Sequence, residues 1–224
     1  MLVTSFAAPI AAANCWIIAT GRGQECVIVD PGGLDVSWQI SQICLEHDLK
    51  PVAVFLTHGH IDHTFSIVPT CSGYSIPAYI HSEDRILLTH PERALSPLFA
   101  ATLEGSTFLE PADVRDLRNG DLLDFLGMKI SVTHAPGHTR GSLLYQFRDE
   151  SGEEVLISGD VLFAGSVGRT DLPTGSPAEM ESTLRKKIWP LPDSLRVLPG
   201  HGPETTIGRE KMVNPFLKEL RIKP

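Results

Sequence analysis

Short apolar runs divide the chain into segments that end in glycine-rich or polar loops. Runs rich in β-branched and aromatic residues predict strands. The predicted strands cover residues 2–6, 16–19, 26–29, 52–56, 78–81, 122–125, 129–132, 143–147, 155–157 and 196–198. Apolar residues at helical spacing predict helices near 36–47, 62–71, 177–188 and 209–220. Ser82, followed by two acidic residues, predicts the N-cap of a further short helix.

The order of these elements predicts the architecture. Strands precede alternating strands and helices in each of two similar halves, which fits an α/β (α+β) protein built as a four-layer αββα sandwich. Residues 89–119 are less informative, because their periodicity is weak and prolines interrupt it. Since no low-complexity run or linker marks a boundary, we expect a single domain over residues 1–224.

The strand predicted at 52–56 runs directly into the segment THGHIDH, residues 57–63. Side chains of extended chain repeat every two residues, so His58 and His60 point to the same side. Asp62 and His63 then fall in the first turn of the following helix and can reach a point beside that pair. Imidazole nitrogens and carboxylate oxygens are donors that divalent first-row metals take. The spacing therefore predicts metal binding.

Three further predicted strands each end in a candidate donor. The donors are His138 in APGH, Asp160 in SGD and His201 in PGH. Functional groups of layered α/β proteins gather where the carboxyl ends of strands open into loops. With the residues of the first segment this makes five histidines and two aspartates, enough for two metal ions at one edge of the sandwich.

Four motifs together carry a resemblance to a known family: THGHIDH, APGHTRGS, SGDVLFAGSVGRTDLPTG and LPGHGPETT. They resemble the metallo-β-lactamase fold superfamily and, within it, single-domain thioester hydrolases related to glyoxalase II (hydroxyacylglutathione hydrolase). The resemblance extends from the first strand to Phe216. It is highly specific for the fold and the metal-binding pattern, and much less specific for substrate.

The resemblance implies a role for each matching residue. The first ion would be held by His58, His60 and His138, and the second by Asp62, His63 and His201. Asp160 would bridge both ions and, with Asp62, is a predicted catalytic carboxylate. The cofactor expected is two divalent ions, zinc first, with iron or manganese also suited to nitrogen and oxygen donors.

The chemistry of such a site favours one class of substrate. A bound divalent ion lowers the pKa of water from 15.7 to about 7, so hydroxide is available at neutral pH. An ordinary thiol has a pKa of about 8.5 and leaves as a thiolate without strong acid help, whereas an amide nitrogen needs a proton donor. We therefore expect cleavage of a small-molecule thioester, such as an S-lactoyl-thiol, by a metal-bridging hydroxide.

Other functions remain open from sequence alone. One is a single-iron persulfide dioxygenase of the same fold, and another is a lactonase or broad esterase. A secreted β-lactamase, a nuclease and a purely structural metal site are less favoured. The enzymes of the glyoxalase II group carry a C-terminal helical domain that contacts glutathione. Here only about one helix is expected after His201, so we expect that domain to be absent and the identity of the thiol stays open.

Composition and the N-terminus bear on partners and compartment. Lys and Arg number 19 against 27 Asp and Glu, a net charge of −8, which argues against nucleic acid or an anionic membrane as partner. The apolar residues 1–13 contain no basic residue, so strands are expected there rather than a signal peptide. The four cysteines show no CxxC spacing and fit buried residues of a reducing cytoplasm.

Several residues have two interpretations. Asp30, in VDPG, is either a partner that orients a metal ligand or a turn former. Arg169, in GRTD, either binds a substrate carboxylate or pairs with Asp171. Thr57 either supports a ligand or ends a strand. Residues read as outside the chemistry are Ser142, Ser158, His47, His81, His90 and His134.

Overall fold

The computed structural model describes residues 1–9, 11–125 and 127–222. The strands are β1 Leu2–Ala7, β2 Asn14–Ala19, β3 Glu25–Val29, β4 Lys50–Phe55, β5 Ala78–His81, β6 Val114–Leu117, β7 Leu122–Phe125, β8 Met128–His134, β9 Leu143–Arg148, β10 Glu154–Gly159, β11 Arg196–Pro199 and β12 Thr205–Thr206. The α-helices are α1 Ser37–His47, α2 Ile61–Thr64, α3 Ile67–Tyr74, α4 Ser82–Arg85, α5 Pro97–Ala101, α6 Pro177–Thr183, α7 Ile207–Val213 and α8 Pro215–Ile222. Short 3₁₀ helices cover Ile86–Leu88 and Pro91–Ala94, and α6 continues as a π-helical turn, Leu184–Ile188.

The strands form two six-stranded mixed sheets. The first has the order β1-β2-β3-β4-β5-β6, antiparallel from β1 to β3 and parallel from β3 to β6. The second has the order β12-β11-β10-β9-β8-β7, in which only β10 and β11 run parallel. Each sheet is assembled from one half of the chain, as the repeated element order predicts.

Three apolar cores show the layers. In β2, Ile17 belongs to the core between the first sheet and helices α1 and α3, while Ile18 belongs to the core between the two sheets. This two-residue alternation is that of a strand buried on both faces. Phe55 stands in the middle layer, stacked on Tyr79 at 4.9 Å and edge-on to Tyr145 at 5.3 Å. A third core joins the second sheet to helices α6, α7 and α8, so the predicted αββα sandwich is confirmed.

Two predicted helices are in fact pairs of helices. The prediction at 62–71 becomes α2 and α3, because Ser66 bonds to the preceding loop: its hydroxyl donates to Gly33 O at 2.8 Å and its amide donates to Pro31 O at 3.0 Å. The prediction at 209–220 becomes α7 and α8, which Asn214 and Pro215 separate. The residue before a proline avoids helical backbone, and Asn214 has ψ 121°.

The N-cap predicted at Ser82 is wrong. Ser82 is the first helical residue of α4, and the cap is His81, whose Nδ1 accepts from Glu83 N at 3.3 Å. The four cysteines are buried, as predicted, and none of them is in a disulfide. Within the described part of the chain, no helix has the length and apolar character needed to cross a membrane.

Candidate metal centre

The seven predicted donors come together in the loops that follow β4, β8, β10 and β11. All lie just beyond a strand whose apolar side chains fill the sandwich, so the donors are held at one edge of it. They divide into a first cluster of His58, His60 and His138 and a second cluster of Asp62, His63 and His201. Within each cluster, one donor atom of every residue lies within 4.8 Å of the others.

The first cluster is buried and made of three imidazoles. Its side chains are at most 5% exposed, and the ring centroids lie 4.5–4.8 Å apart. Nε2 of His58, of His60 and of His138 is buried without a hydrogen-bond partner. A buried polar atom normally has a partner, so these three nitrogens are suited to a bound cation.

The second cluster is more open to solvent. His63 Nε2 lies 3.2 Å from His201 Nε2 and 3.8 Å from Asp62 Oδ2, and His201 Nε2 lies 3.4 Å from the same carboxylate oxygen. The His63 side chain is fully buried, whereas those of Asp62 and His201 are 29% and 26% exposed. A ligand can therefore approach the centre from this side.

Asp160 lies between the clusters. Its Oδ2 is 3.4 Å from His138 Nε2 in the first cluster and 3.5 Å from His201 Nε2 in the second. Its Oδ1 is 3.5 Å from His63 Nε2 and has no hydrogen-bond partner. Asp160 thus lies within 3.5 Å of imidazoles of both clusters, and its predicted role as a bridging carboxylate stays a prediction.

Asp30 supports a ligand of each cluster. Its Oδ2 accepts from His63 Nδ1 at 3.0 Å and from the Thr57 hydroxyl at 2.6 Å, and Oδ1 accepts from Thr57 N at 2.8 Å. Because the Thr57 proton goes to Asp30, its oxygen can accept from His58 Nδ1, 3.0 Å away. Both rings are thereby left with Nε2 free for a metal. Asp30 also makes the turn, with φ +53°, and its role as a partner that orients a metal ligand stays a prediction.

The loop that follows β10 orients the remaining ring of the first cluster. His138 Nδ1 donates to the carbonyl of Arg169 at 2.8 Å. The neighbouring Gly168 packs so closely that a Cβ there would lie 2.0 Å from Asp160 O. The Arg169 guanidinium makes a bidentate pair with Asp171, at 2.7 Å for both bonds, and it is mostly exposed. The side chain of Arg169 is thus paired with Asp171. Its main-chain carbonyl orients the ring of His138.

Asp84 is a supporting residue that the sequence analysis missed. It is completely buried and accepts from Gly59 N at 2.9 Å, Gly141 N at 2.7 Å and the Thr139 hydroxyl at 2.6 Å. It therefore ties the loop of His58 and His60 to the loop of His138. Burial raises the pKa of Asp84, although these three bonds act in the opposite direction. The signal available in the sequence, an acid in a helix's first turn, is too common to identify it.

The electrostatic character of the clusters differs. Burial and the neighbouring imidazoles lower the pKa of His58 and of His60 well below the ordinary value, so both are neutral. Burial also lowers the pKa of His63, but Asp160, Asp62 and Asp30 outweigh it and raise that pKa to about 10. The carboxylates likewise raise the pKa of His201 against the effect of burial. The carboxylates of the second cluster therefore favour the protonated, positively charged forms of His63 and His201.

These features fit two divalent ions. The first cluster offers neutral imidazoles with free lone pairs, and the second offers a carboxylate and two imidazoles in a negative field. Nitrogen and oxygen donors of this kind suit zinc, iron and manganese.

The other polar residues singled out in the sequence have structural partners. His47 Nδ1 contacts Arg22 and His90 Nδ1 contacts Glu92. The Ser158 hydroxyl donates to Leu162 O at 2.7 Å. Hydroxyls at Ser142 and Thr139 lie 2.8 Å apart. None of these serines stands beside a free imidazole as a nucleophile would.

Comparison with known proteins agrees with this geometry. The family model described as the metallo-beta-lactamase superfamily matches residues 9–201. An uncharacterized protein of Mycobacterium tuberculosis is 41% identical over 223 residues, covering 98% of this chain and 99% of the relative. The hydroxyacylglutathione hydrolase GloC of Haemophilus influenzae is 34% identical over 209 residues, covering 91% of this chain and 92% of the relative.

Two solved structures extend the comparison. The BLEG-1 B3 metallo-beta-lactamase has a TM-score of 0.81 and 35% identity, covering 96% of this chain and 99% of that one. The protein TTHA1623, in a di-iron-bound form, has a TM-score of 0.77 and 34% identity, covering 96% of this chain and 100% of that one. With its αββα sandwich, its clustered histidines and a family match over most of its length, the chain belongs to the metallo-beta-lactamase superfamily.

Proposed function

We propose that this protein is a metal-dependent hydrolase that cleaves the thioester of a small acyl group and a low-molecular-weight thiol. An S-lactoyl-thiol is the representative substrate. Two divalent ions, zinc first, would be held by the two clusters with Asp160 between them. When bound, they supply hydroxide at neutral pH and polarise the carbonyl oxygen. The similarity to the hydroxyacylglutathione hydrolase of Haemophilus influenzae supports this choice of chemistry.

The observation that carries the proposal concerns acids: once the imidazoles of both clusters are taken as metal ligands, the described residues of the centre offer no side chain suited to protonate a leaving group. The hydroxyls of Thr57, Thr139 and Ser158 are already hydrogen-bonded to protein acceptors. Burial raises the pKa of Asp62, but His63, His201 and His60 outweigh it and hold that pKa below its ordinary value. Asp62 is thus ionised and is not an acid at neutral pH. A thiolate departs without such an acid, whereas an amine does not.

The residues of the chain position rather than react. Asp30 and the Arg169 carbonyl fix the rings of His63 and His138, so that Nε2 of each faces the centre. Asp84 holds the two loops of the first cluster at a constant separation. Preorganised donors need no rearrangement at the moment of reaction.

The apolar part of a substrate has a place beside the centre. A cleft of about 250 Å³ lies against α2. Ile61 and Thr64 of this helix line the cleft, and the two residues between them, Asp62 and His63, belong to the second cluster. It is lined by Ile61, Thr64, Phe65, Ile67, Val68, Leu87, Leu88, Pro91, Thr107, Phe108 and Leu109. The segment 89–119 supplies four of these residues, and Phe108 packs edge-on against Phe65 at 6.3 Å. Because none of the described residues that line this cleft is charged, we propose that it takes the apolar part of a small acyl group, such as the methyl end of a lactoyl group.

Comparative hydrolysis by the metal-replete protein tests the proposal. Acyl-thiols should be cleaved faster than matched amides and β-lactams. Oxygen uptake with a persulfide and no thioester cleavage would instead establish the single-iron dioxygenase. Preferred cleavage of lactones or oxygen esters would favour the broad esterase.

The role of Arg169 requires its own comparison. If its guanidinium leaves Asp171 to bind a carboxylate on the thiol half, Arg169→Ala should raise KM and leave kcat nearly unchanged. Arg148→Ala, which removes a similarly exposed arginine paired with Glu154, is the matched control. An unchanged KM in Arg169→Ala would assign that side chain to its surface pair alone.

A further inference from the structure

A third group of donors lies outside the two clusters. His81 ends β5 in the first sheet, His134 ends β8 in the second, and Glu83 follows in α4. One donor atom of each lies within 4.8 Å of the others. From the sequence, we predict both histidines to be non-ligands, because neither has a partner within a motif. The fold, by bringing together the ends of two strands from different sheets, supplies that partner.

The hydrogen bonds of the two rings leave the lone pair of His134 unused and hold that of His81 only in a long bond. The rings are stacked, with centroids 4.1 Å apart and planes 7° from parallel. His134 Nε2 donates to Arg140 O at 2.7 Å, so its Nδ1 carries a free lone pair. His81 Nδ1 accepts a long bond, 3.3 Å, from Glu83 N. The ring of His81 is therefore the one that can turn at little cost.

Burial and charge act in opposite directions on this pair, and together they keep His81 neutral. Burial and His134 lower the pKa of His81, while Glu83, Asp84 and Asp116 act in the opposite direction. The imidazole of His81 is neutral at neutral pH as a result, and a ligand imidazole must be neutral. His81 is buried, but Glu83 is exposed, so water has access to the open side of the group.

We propose that His81, Glu83 and His134 bind a third divalent transition-metal ion, separate from the two catalytic clusters. Two imidazoles and one carboxylate suit zinc, nickel or copper, whereas magnesium and calcium prefer oxygen donors alone. Parallel rings direct their lone pairs side by side, so the ring of His81 must tilt toward that of His134 for both to reach one ion. Solvent water completes the coordination on the Glu83 side.

Such an ion would join the two sheets at a sensitive position. His81 caps α4, which carries Asp84, and His134 fixes Arg140 in the loop of His138. Cross-linking these two strands should raise thermal stability, since a ligand that binds only the folded state stabilises it. The proposed function does not depend on this site.

The test compares Zn²⁺ bound by the wild type and by the double variant His81→Asn/His134→Gln after equilibration with excess Zn²⁺. Asparagine is a good N-cap and so preserves the cap of α4. Glutamine preserves a donor for Arg140 O. We expect the wild type to bind one equivalent more than the double variant and to gain a larger Tm increase from Zn²⁺. The difference holds for any occupancy of the catalytic clusters.

Two further variants make the result decisive. Glu83→Gln leaves both rings in place and should weaken binding of the additional equivalent at least about tenfold. His90→Gln removes an exposed histidine that also lies near an acid, Glu92, and should bind as much Zn²⁺ as the wild type. Equal Zn²⁺ in the wild type and the double variant would overturn the proposal. So would a loss of the additional equivalent in His90→Gln, which would indicate non-specific surface binding.

Discussion

The two clusters of the metal centre are built from similar residues and have different characters. The first cluster is buried, consists of neutral imidazoles, and is supported from both of its loops by Asp84. The second contains a carboxylate, is partly exposed, and lies in a field that raises the pKa of His63 and of His201. The difference indicates distinct roles. The first cluster provides buried, well-supported donors, and the second provides negative charge and the side from which a ligand reaches the centre.

The largest expected effect comes from Asp160, the residue that lies between the two clusters. In Asp160→Asn the shape is kept, but the negative charge that would offset two cations is lost. Our proposal predicts loss of the second ion and a fall in kcat/KM of at least about 100-fold. Metal analysis and thioester hydrolysis measure the two effects.

Asp193→Asn is the matched control. It removes the charge of an exposed carboxylate that pairs with Lys211 and is not one of the seven donors. It should retain metal and rate. Full activity of Asp160→Asn with two ions bound would end the bridging assignment.

The second expected effect concerns Asp84, which supports the loops of the first cluster. In Asp84→Asn one carboxylate oxygen becomes an NH₂ group, which cannot accept from a backbone amide such as Gly59 N. A buried donor without a partner costs about 1–3 kcal/mol, so unfolding free energy should fall by about 2 kcal/mol. Urea denaturation measures this. The first ion should also be lost more readily, because only the loops of the first cluster are released.

The control for Asp84→Asn is Asp116→Asn. Asp116 is an exposed acid of β6 that contacts Arg85, a residue of the helix α4 that also carries Asp84. That substitution should cost little, as expected of a surface pair. If the two variants had equal stability, the loops would not depend on Asp84.

The contrast between Asp84 and the seven donors shows what sequence can and cannot reveal. Four donors lie within residues 57–63, and the others end recognisable strands, so local pattern was sufficient to bring them together. The partners of Asp84 lie 25, 55 and 57 positions away. Nothing in the local pattern connects residues at such distances.

The same distinction applies to the fold. Ten strands follow from apolar runs and agree with the prediction to within a few residues, whereas the short edge strands β6 and β12 were missed because neither contains a continuous apolar run. The division of the helix predicted at 62–71 depends on Ser66 bonding to the loop around Gly33, a tertiary contact that helical periodicity does not report. The break at Pro215 was readable from the sequence, because proline cannot continue a helix from the residue before it.

The third effect acts chiefly on the second cluster. In Asp30→Asn an NH₂ group can face His63 Nδ1, which then must accept, leaving the proton on Nε2 where a metal would bind. The affinity of the second ion should fall about 10–100-fold. His58 should be affected less, because it contacts Asp30 only through the Thr57 hydroxyl, which loses its acceptor Oδ2 but can still accept from His58 Nδ1. Stepwise removal of metal by a chelator measures the two affinities, and an equal loss from both clusters would contradict the assigned tautomers.

The smallest expected effect is on the pH dependence of stability in the metal-free protein. Since the pKa of His63 is raised from about 6.5 in the unfolded chain to about 10, its stabilising contribution is present below pH ~6.5 and is lost as pH rises toward 10. For His58 the folded pKa is lowered, so below pH ~6.5 only the unfolded chain takes up the proton and stability falls with acid. Stability should therefore be greatest near pH ~6.5.

Variants assign each side of this pH profile to one cluster. His63→Gln should reduce the alkaline fall and His58→Gln the acidic fall, with the remainder coming from His201 and His60 respectively. Urea denaturation of chelator-treated protein across the pH range measures both. His90→Gln, a surface histidine outside both clusters, should leave the profile unchanged. An alkaline fall of undiminished size in His63→Gln would show that the negative field of the second cluster does not act through this ring.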